Sequence, residues 1–224
     1  MAKTTNQQSA LTSVEETLNK SEAFFLKYQK PIIGAVVALV IVVAAAILYH
    51  SYVAVPAAEK ANTTLAKGQE YFTNGQFEQA LNGDSTGYAG FVKIAADLSG
   101  DAANLANLYA GLCYANLDKW EEAASYLNKF SSKDDEMISP AAEGALGNAM
   151  AHLNKLDEAV KHLKSAAAKA DNNSLSPTFL IQAGEILESQ GKKDEALSLY
   201  QEVKEKYFNS MQYQNIDAYI ERVK

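Results

Sequence analysis

The sequence predicts an all-α protein in two parts: one apolar helix long enough to cross a membrane, then a stack of antiparallel helical hairpins. Three observations carry that reading. Residues 31–50, PIIGAVVALVIVVAAAILYH, contain no charged side chain. The rest is rich in Ala, Leu, Glu and Lys with only four prolines, a helix-favouring composition. Finally, one pattern of small and large residues recurs four times in phase, which is how hairpins that stack on one another announce themselves.

The apolar run comes first in the chain. Eleven of residues 31–49 are Leu, Ile or Val, and together they favour insertion into a bilayer by roughly 3–7 kcal/mol. About 20 helical residues cover the ~30 Å hydrocarbon core. Pro31 suits a first helical turn, while Tyr49, His50 and Tyr52 suit an interface. A cleaved signal has a short basic start and an apolar stretch of about 7–15 residues. Here thirty residues of mixed charge precede a longer stretch, so the run reads as a retained anchor. No polar face appears in it, which argues against a core helix.

The anchor divides the chain into a leader (1–30), a membrane segment (31–55) and a repeat domain (56–224). Residues 13–27 read as a short amphipathic helix with Val14, Leu18, Phe24 and Phe25 on its apolar side. Lys27 and Lys30 precede the run, whereas Glu59 and Lys60 cancel after it. The positive-inside rule then leaves the leader in the cytoplasm and exports the repeat domain.

The repeat is anchored on Ala80, Ala123, Ala159 and Ala196, spaced by 43, 36 and 37 residues and closing the strings FEQA, WEEA, LDEA and KDEA. Twelve residues before each stands a glycine: Gly68, Gly111, Gly147 and Gly184. Nine before stands a large residue: Tyr71, Tyr114, Met150 and Leu187. A glycine lets two helices approach closely, and the larger side chain fills the space beside it. Asn74-Gly75, Asn116 to Asp118, Asn154 and Gly191 tolerate left-handed backbone and so end the first helix of each hairpin. The second unit, LYAGLCYANLDKWEEAASYLNKF, is the fullest, with Gly111, Tyr114, Trp120, Ala123 and Phe130 in place. These residues resemble the tetratricopeptide repeat, which implies a right-handed stack. In the first unit NGDSTGYAG interrupts the second helix, predicting a loop near 82–87 and a resumed helix over 88–98. Residues 212–224 read as a capping helix that turns Ile216, Tyr219, Ile220 and Val223 inward.

Chemistry is sparse. The net charge is −7, and from residue 56 onward 16 basic face 24 acidic residues, a balance that disfavours nucleic acid. The single cysteine, Cys113, lies in an apolar pattern and reads as a small core residue. No paired-histidine metal motif, nucleophile elbow or Walker loop occurs, and no cofactor is expected. His162, between Lys161 and Leu163, reads as solvated. What remains is a surface. In such a stack the first helices line a concave face, here Gln69, Phe72, Leu105, Leu108, Leu112, Asn116, Asn148, His152, Ile181, Glu185 and Glu188. Apolar residues beside amides and carboxylates fit a peptide, although Leu105, Leu108 and Leu112 equally suit packing between hairpins. Glu185 and Glu188 would be the acids of an enzyme, but two acids one turn apart read as a solvated face.

A short leader, one anchor near residue 40 and an acidic exported repeat domain together resemble the YfgM family, ancillary subunits of the bacterial Sec translocon. The resemblance implies a single-pass inner-membrane scaffold with a periplasmic repeat domain, bridging translocon subunits to exported chaperones or nascent chains. It supplies no residue-level binding motif. An adaptor for outer-membrane or cell-wall assembly is an alternative reading, and an organelle import receptor with cytosolic repeats is a more distant one.

Overall fold

The computed structural model describes residues 28, 30, 31 and 33–224, and every regular element among them is helical. The amphipathic leader helix expected over 13–27 lies outside the described residues. The chain divides into two compact units, 1–58 and 59–224.

In the first unit, helix α1 (Ile33–Tyr52) has a mean hydropathy of 2.6 and none of it is buried. Leu39 and Val42 are each 64% exposed. Among the described residues this apolar helix buries no face, unlike the core helix of a soluble domain. Its last residues pass into a π-helical turn, His50–Ala54.

The second unit is built from hairpins. Helix α2 (Val55–Thr73) pairs with α3 (Phe77–Asn82) and α4 (Phe91–Asp97), and α5 (Gly100–Asn116) with α6 (Trp120–Leu127). Helix α7 (Ile138–His152) pairs with α8 (Leu156–Ala170), and α9 (Ser176–Ser189) with α10 (Lys193–Lys206). A 3₁₀ turn (Met211–Asn215) and α11 (Ile216–Val223) close the stack, with Ile216, Ile220 and Val223 buried and Tyr219 packed beside them.

The turn within each hairpin is the same piece of backbone. Gly75, Asp118, Asn154 and Gly191 all have left-handed φ, between +57° and +73°. The following N–H donates back five residues, Gln76 to Tyr71 O (2.8 Å), Lys119 to Tyr114 O (3.0 Å), Lys155 to Met150 O (2.9 Å) and Lys192 to Leu187 O (2.9 Å). These are Schellman closures. The large residue nine before each Ala is therefore also the one whose carbonyl receives the closing bond.

Within the hairpins the repeat alanines are wholly buried, each at 0% exposure. The side chain that seats over each glycine stands four residues later, one turn on: Leu127 over Gly111, Leu163 over Gly147 and Tyr200 over Gly184. The first hairpin departs because that position is Asp84. Its glycine slot is filled by Tyr88 and Phe91, and the Tyr88 hydroxyl donates to Ala80 O at 2.9 Å.

Asp84 also explains why the second helix resumes at Phe91 and not at Tyr88. Its carboxylate accepts from Thr86 N (2.8 Å), Tyr88 N (3.0 Å) and the Tyr71 hydroxyl, and pairs with Lys67 at 3.0 Å. The loop is thus tied to α2, and Gly90 lets it pass so near Leu81 O that a Cβ would sit 2.3 Å away. The two Ser-Pro steps mark helix starts. Asp135 accepts from the backbone N–H groups of Met137, Ile138 and Ser139 at the head of α7, while buried Ser176 donates to Ala167 O at 2.8 Å.

Candidate functional site

The repetition gives the second unit two unlike edges. Along one run the turns inside hairpins, joined by Lys119 to Glu78 (3.2 Å) and by Gln190 and Lys192 to Asp157 (3.0 and 2.9 Å). Along the other run the connectors between hairpins, joined by Asn104 to Ser131 O (2.9 Å), Asn172 to Glu136 O (3.0 Å) and Lys206 to Asp171 (2.6 Å).

A groove of about 440 Å³ opens where the first helices of the second, third and fourth hairpins meet near the turn edge. Helix α5 contributes Leu112, Ala115 and Asn116, α7 contributes Ala145, Asn148, Ala151 and His152, and α9 contributes Gln182. Trp120, the first residue of α6, forms one wall. Its indole stacks on the His152 imidazole with ring centroids 3.6 Å apart and planes 3° from parallel. This contact crosses from one hairpin to the next, so it both positions the rings and fixes the groove's width.

The chemistry of the lining is that of carboxamides and short apolar side chains, without Lys, Arg, Asp or Glu. Asn116 donates to Leu112 O of its own helix at 2.8 Å. The Gln182 carbonyl oxygen is buried and accepts no hydrogen bond among the described residues. Such an acceptor costs about 1–3 kcal/mol relative to a satisfied one. Carboxamides that donate and accept, beside a ring platform, suit the main chain of a polypeptide better than an ion. Among the described residues no three His, Cys, Asp or Glu side chains converge as metal ligands would.

The structure sorts the concave-face residues expected from sequence. Leu112, Asn116, Asn148 and His152 come together in the groove. Leu105 packs into the core around Phe91 and Ala106, Leu108 is 7% exposed in the core with Leu127 and Leu146, and Ile181 is buried in the core with Leu163 and Tyr200. Phe72 meets the edges of Phe77 and Tyr109 at 5.5 Å, and Gln69 lies half-buried on α2, away from the groove lining. Glu188 is engaged by Arg222 of α11, through Nε and Nη2 both at 2.8 Å, and by the Tyr200 hydroxyl. The Arg222 guanidinium holds its carboxyl below the usual range. Glu185 is exposed, 3.9 Å from the same Arg222. The pair is therefore the seat of the capping helix. His162 is not free in solvent either: it meets Glu143 at 2.9 Å, beside Lys169.

Sequence reasoning missed Gln182 and the part played by Trp120. The signal was present as an offset from the repeat glycine. The lining falls two before it (Ala145, Gln182), one after (Leu112, Asn148), four after (Ala115, Ala151) and five after (Asn116, His152). Those offsets trace one helical face.

Residues 14–217 match the family model described as T7SS, ESX-1 secretion system protein EccA1, N-terminal domain. No curated protein matches the chain. The match overturns the resemblance to the YfgM-type ancillary subunits of the Sec translocon. That resemblance rested on the order of leader, anchor and repeats, with motifs common to any tetratricopeptide-like stack.

Proposed function

The chain belongs to the family of EccA1 N-terminal domains, and on that premise we propose that it is a membrane-anchored, non-catalytic scaffold that binds protein partners of a secretion machinery. The observation that carries this reading is the uncharged, carboxamide-lined groove spanning three hairpins, with Trp120 and His152 stacked across it. Such a surface supplies hydrogen bonds and apolar contact over a stretch of polypeptide, and no nucleophile or general base stands in it beside His152, whose ring is taken up by the indole. Helix α1 is the anchor, and the lysines at 27 and 30 favour export of the repeat unit.

Photo-crosslinking in native membranes tests the proposal. A probe replacing Asn148 should yield adducts with components or cargo of a secretion machinery, and these should fade when His152→Asp places a charge in the groove. Adducts at Asn148 that match those of a probe at exposed Lys164, outside the groove, would overturn the groove as a binding site. Adducts only with cytosolic proteins would reverse the assigned topology.

A further inference from the structure

A second cavity, of about 210 Å³, lies where the end of α6 and the connector after it meet α7 and α8, and it shares no residue with the groove. Leu127, Phe130, Ala142 and Leu146 give it apolar walls. Glu143 and His162 also line it, with side chains only 21% and 24% exposed. Glu143 is occupied on both oxygens: Oε1 meets His162 Nδ1 at 2.9 Å, and Oε2 accepts from Lys169 Nζ at 2.9 Å. Burial works against its charge, but the bonds from His162 and Lys169 outweigh burial and hold its carboxyl below the usual range. An ionised carboxylate only accepts, so Nδ1 carries the imidazole proton. In neutral imidazole Nε2 is then an acceptor. It has no hydrogen-bond partner among the described residues, and it is not sealed from solvent.

We propose that this cavity seats the phenol ring of a tyrosine from a protein partner, with the ring against the apolar walls and the hydroxyl donating to His162 Nε2. Size, hydrogen bonding and charge each argue for that occupant. An apolar cavity of about 150 Å³ holds one benzene molecule, so about 210 Å³ has room for a single substituted ring. The free acceptor asks for a donor, which phenylalanine and leucine lack. Serine and threonine bring the donor but too little apolar surface to cover four apolar walls. An anionic side chain would face the Glu143 charge, and a cationic one would find both Glu143 oxygens taken. Exposed Asn128 and Ser132 complete the lining and suit the main chain that carries the ring. The proposal rests on the reading of the chain as a scaffold for proteins, but not on the groove.

The full chain in lipid nanodiscs, with nitrogen-15 in its three histidines, tests the proposal by long-range proton–nitrogen correlation at about pH 8, where imidazoles are ordinarily neutral. In the free chain His162 should carry its proton on Nδ1; a proton on Nε2 would overturn the proposal. The probes are N-acetyltyrosinamide and N-acetylphenylalaninamide, both uncharged and differing by one hydroxyl. The tyrosine amide should move the His162 Nε2 resonance saturably. It should bind about two- to tenfold more tightly than the phenylalanine amide, as one hydrogen bond allows. That preference should vanish in His162→Phe and persist in His152→Asp, which places a charge in the groove and leaves the cavity untouched. Equal affinities of the two amides for the unmodified chain would overturn the proposal. So would a response at His152 in place of His162, which would put the ring in the groove. A tyrosine preference that persists while the Asn148 crosslinks fail would uphold the cavity and overturn the groove alone.

Discussion

Placing a methyl group on Gly111 tests whether glycine is what holds these hairpins together. A Cβ there would lie 2.6 Å from Leu127 Cγ, 2.9 Å from its Cδ2 and 3.1 Å from its backbone N. Carbon atoms rest at about 3.5–4.0 Å, so Leu127 must retreat by roughly 1 Å. A rotamer change does not free it, because its own main chain is among the close atoms and it is only 3% exposed. Overpacking of this kind costs about 1–3 kcal/mol, against which alanine gains about 1 kcal/mol over glycine in a helix interior. Gly111→Ala should therefore destabilise by up to about 2 kcal/mol, lowering the melting temperature by up to about 4–8 °C. Urea unfolding of the full chain in detergent, followed by circular dichroism, measures it. Leu127→Ala alone should cost about 2–5 kcal/mol. In that background the two side-chain contacts are gone and only the backbone N at 3.1 Å remains close, so Gly111→Ala should cost little or stabilise, a coupling of at least about 1 kcal/mol. An equal cost in both backgrounds would refute the seating of Leu127 over Gly111.

Three other outcomes are expected. Arg222→Ala should loosen α11 by about 1 kcal/mol through loss of its paired bonds to Glu188, seen as faster amide exchange confined to Ile216–Val223. Asp135 is held at about 2, below its ordinary 3.8, by the Ser139 hydroxyl and three N–H groups. Its unfolded form binds protons more readily, so its contribution is present above pH 4 and is lost as pH falls through 2. Asp135→Ala should cost about 1 kcal/mol at neutral pH and flatten the fall in melting temperature between pH 4 and 2. Finally, Cys113 should resist a thiol reagent until the chain unfolds, its reaction rate tracking the unfolding transition.

Much of the architecture is legible in the sequence because its causes are local. The apolar run, the residues tolerant of left-handed backbone and the Gly-to-Ala interval each act within a dozen or so residues. Gly75, Asp118, Asn154 and Gly191 close their turns with the same bond for that reason. The capping helix was equally plain, since Ile216, Ile220 and Val223 share one face.

Other features depend on residues far apart in the chain. The sequence by itself determined that hairpins form and where their turns fall, because backbone conformation and helix periodicity are set by neighbours. Only the tertiary structure decided which side chain fills each glycine slot, as Asp84 shows by leaving its slot to Tyr88 and Phe91. It decided that Glu188 serves Arg222, 34 residues on. It also decided that Trp120, Asn148, His152 and Gln182 share one groove. Stacking brings together positions from successive hairpins, and the offset between one hairpin and the next is fixed by how their buried surfaces fit, not by anything within either one.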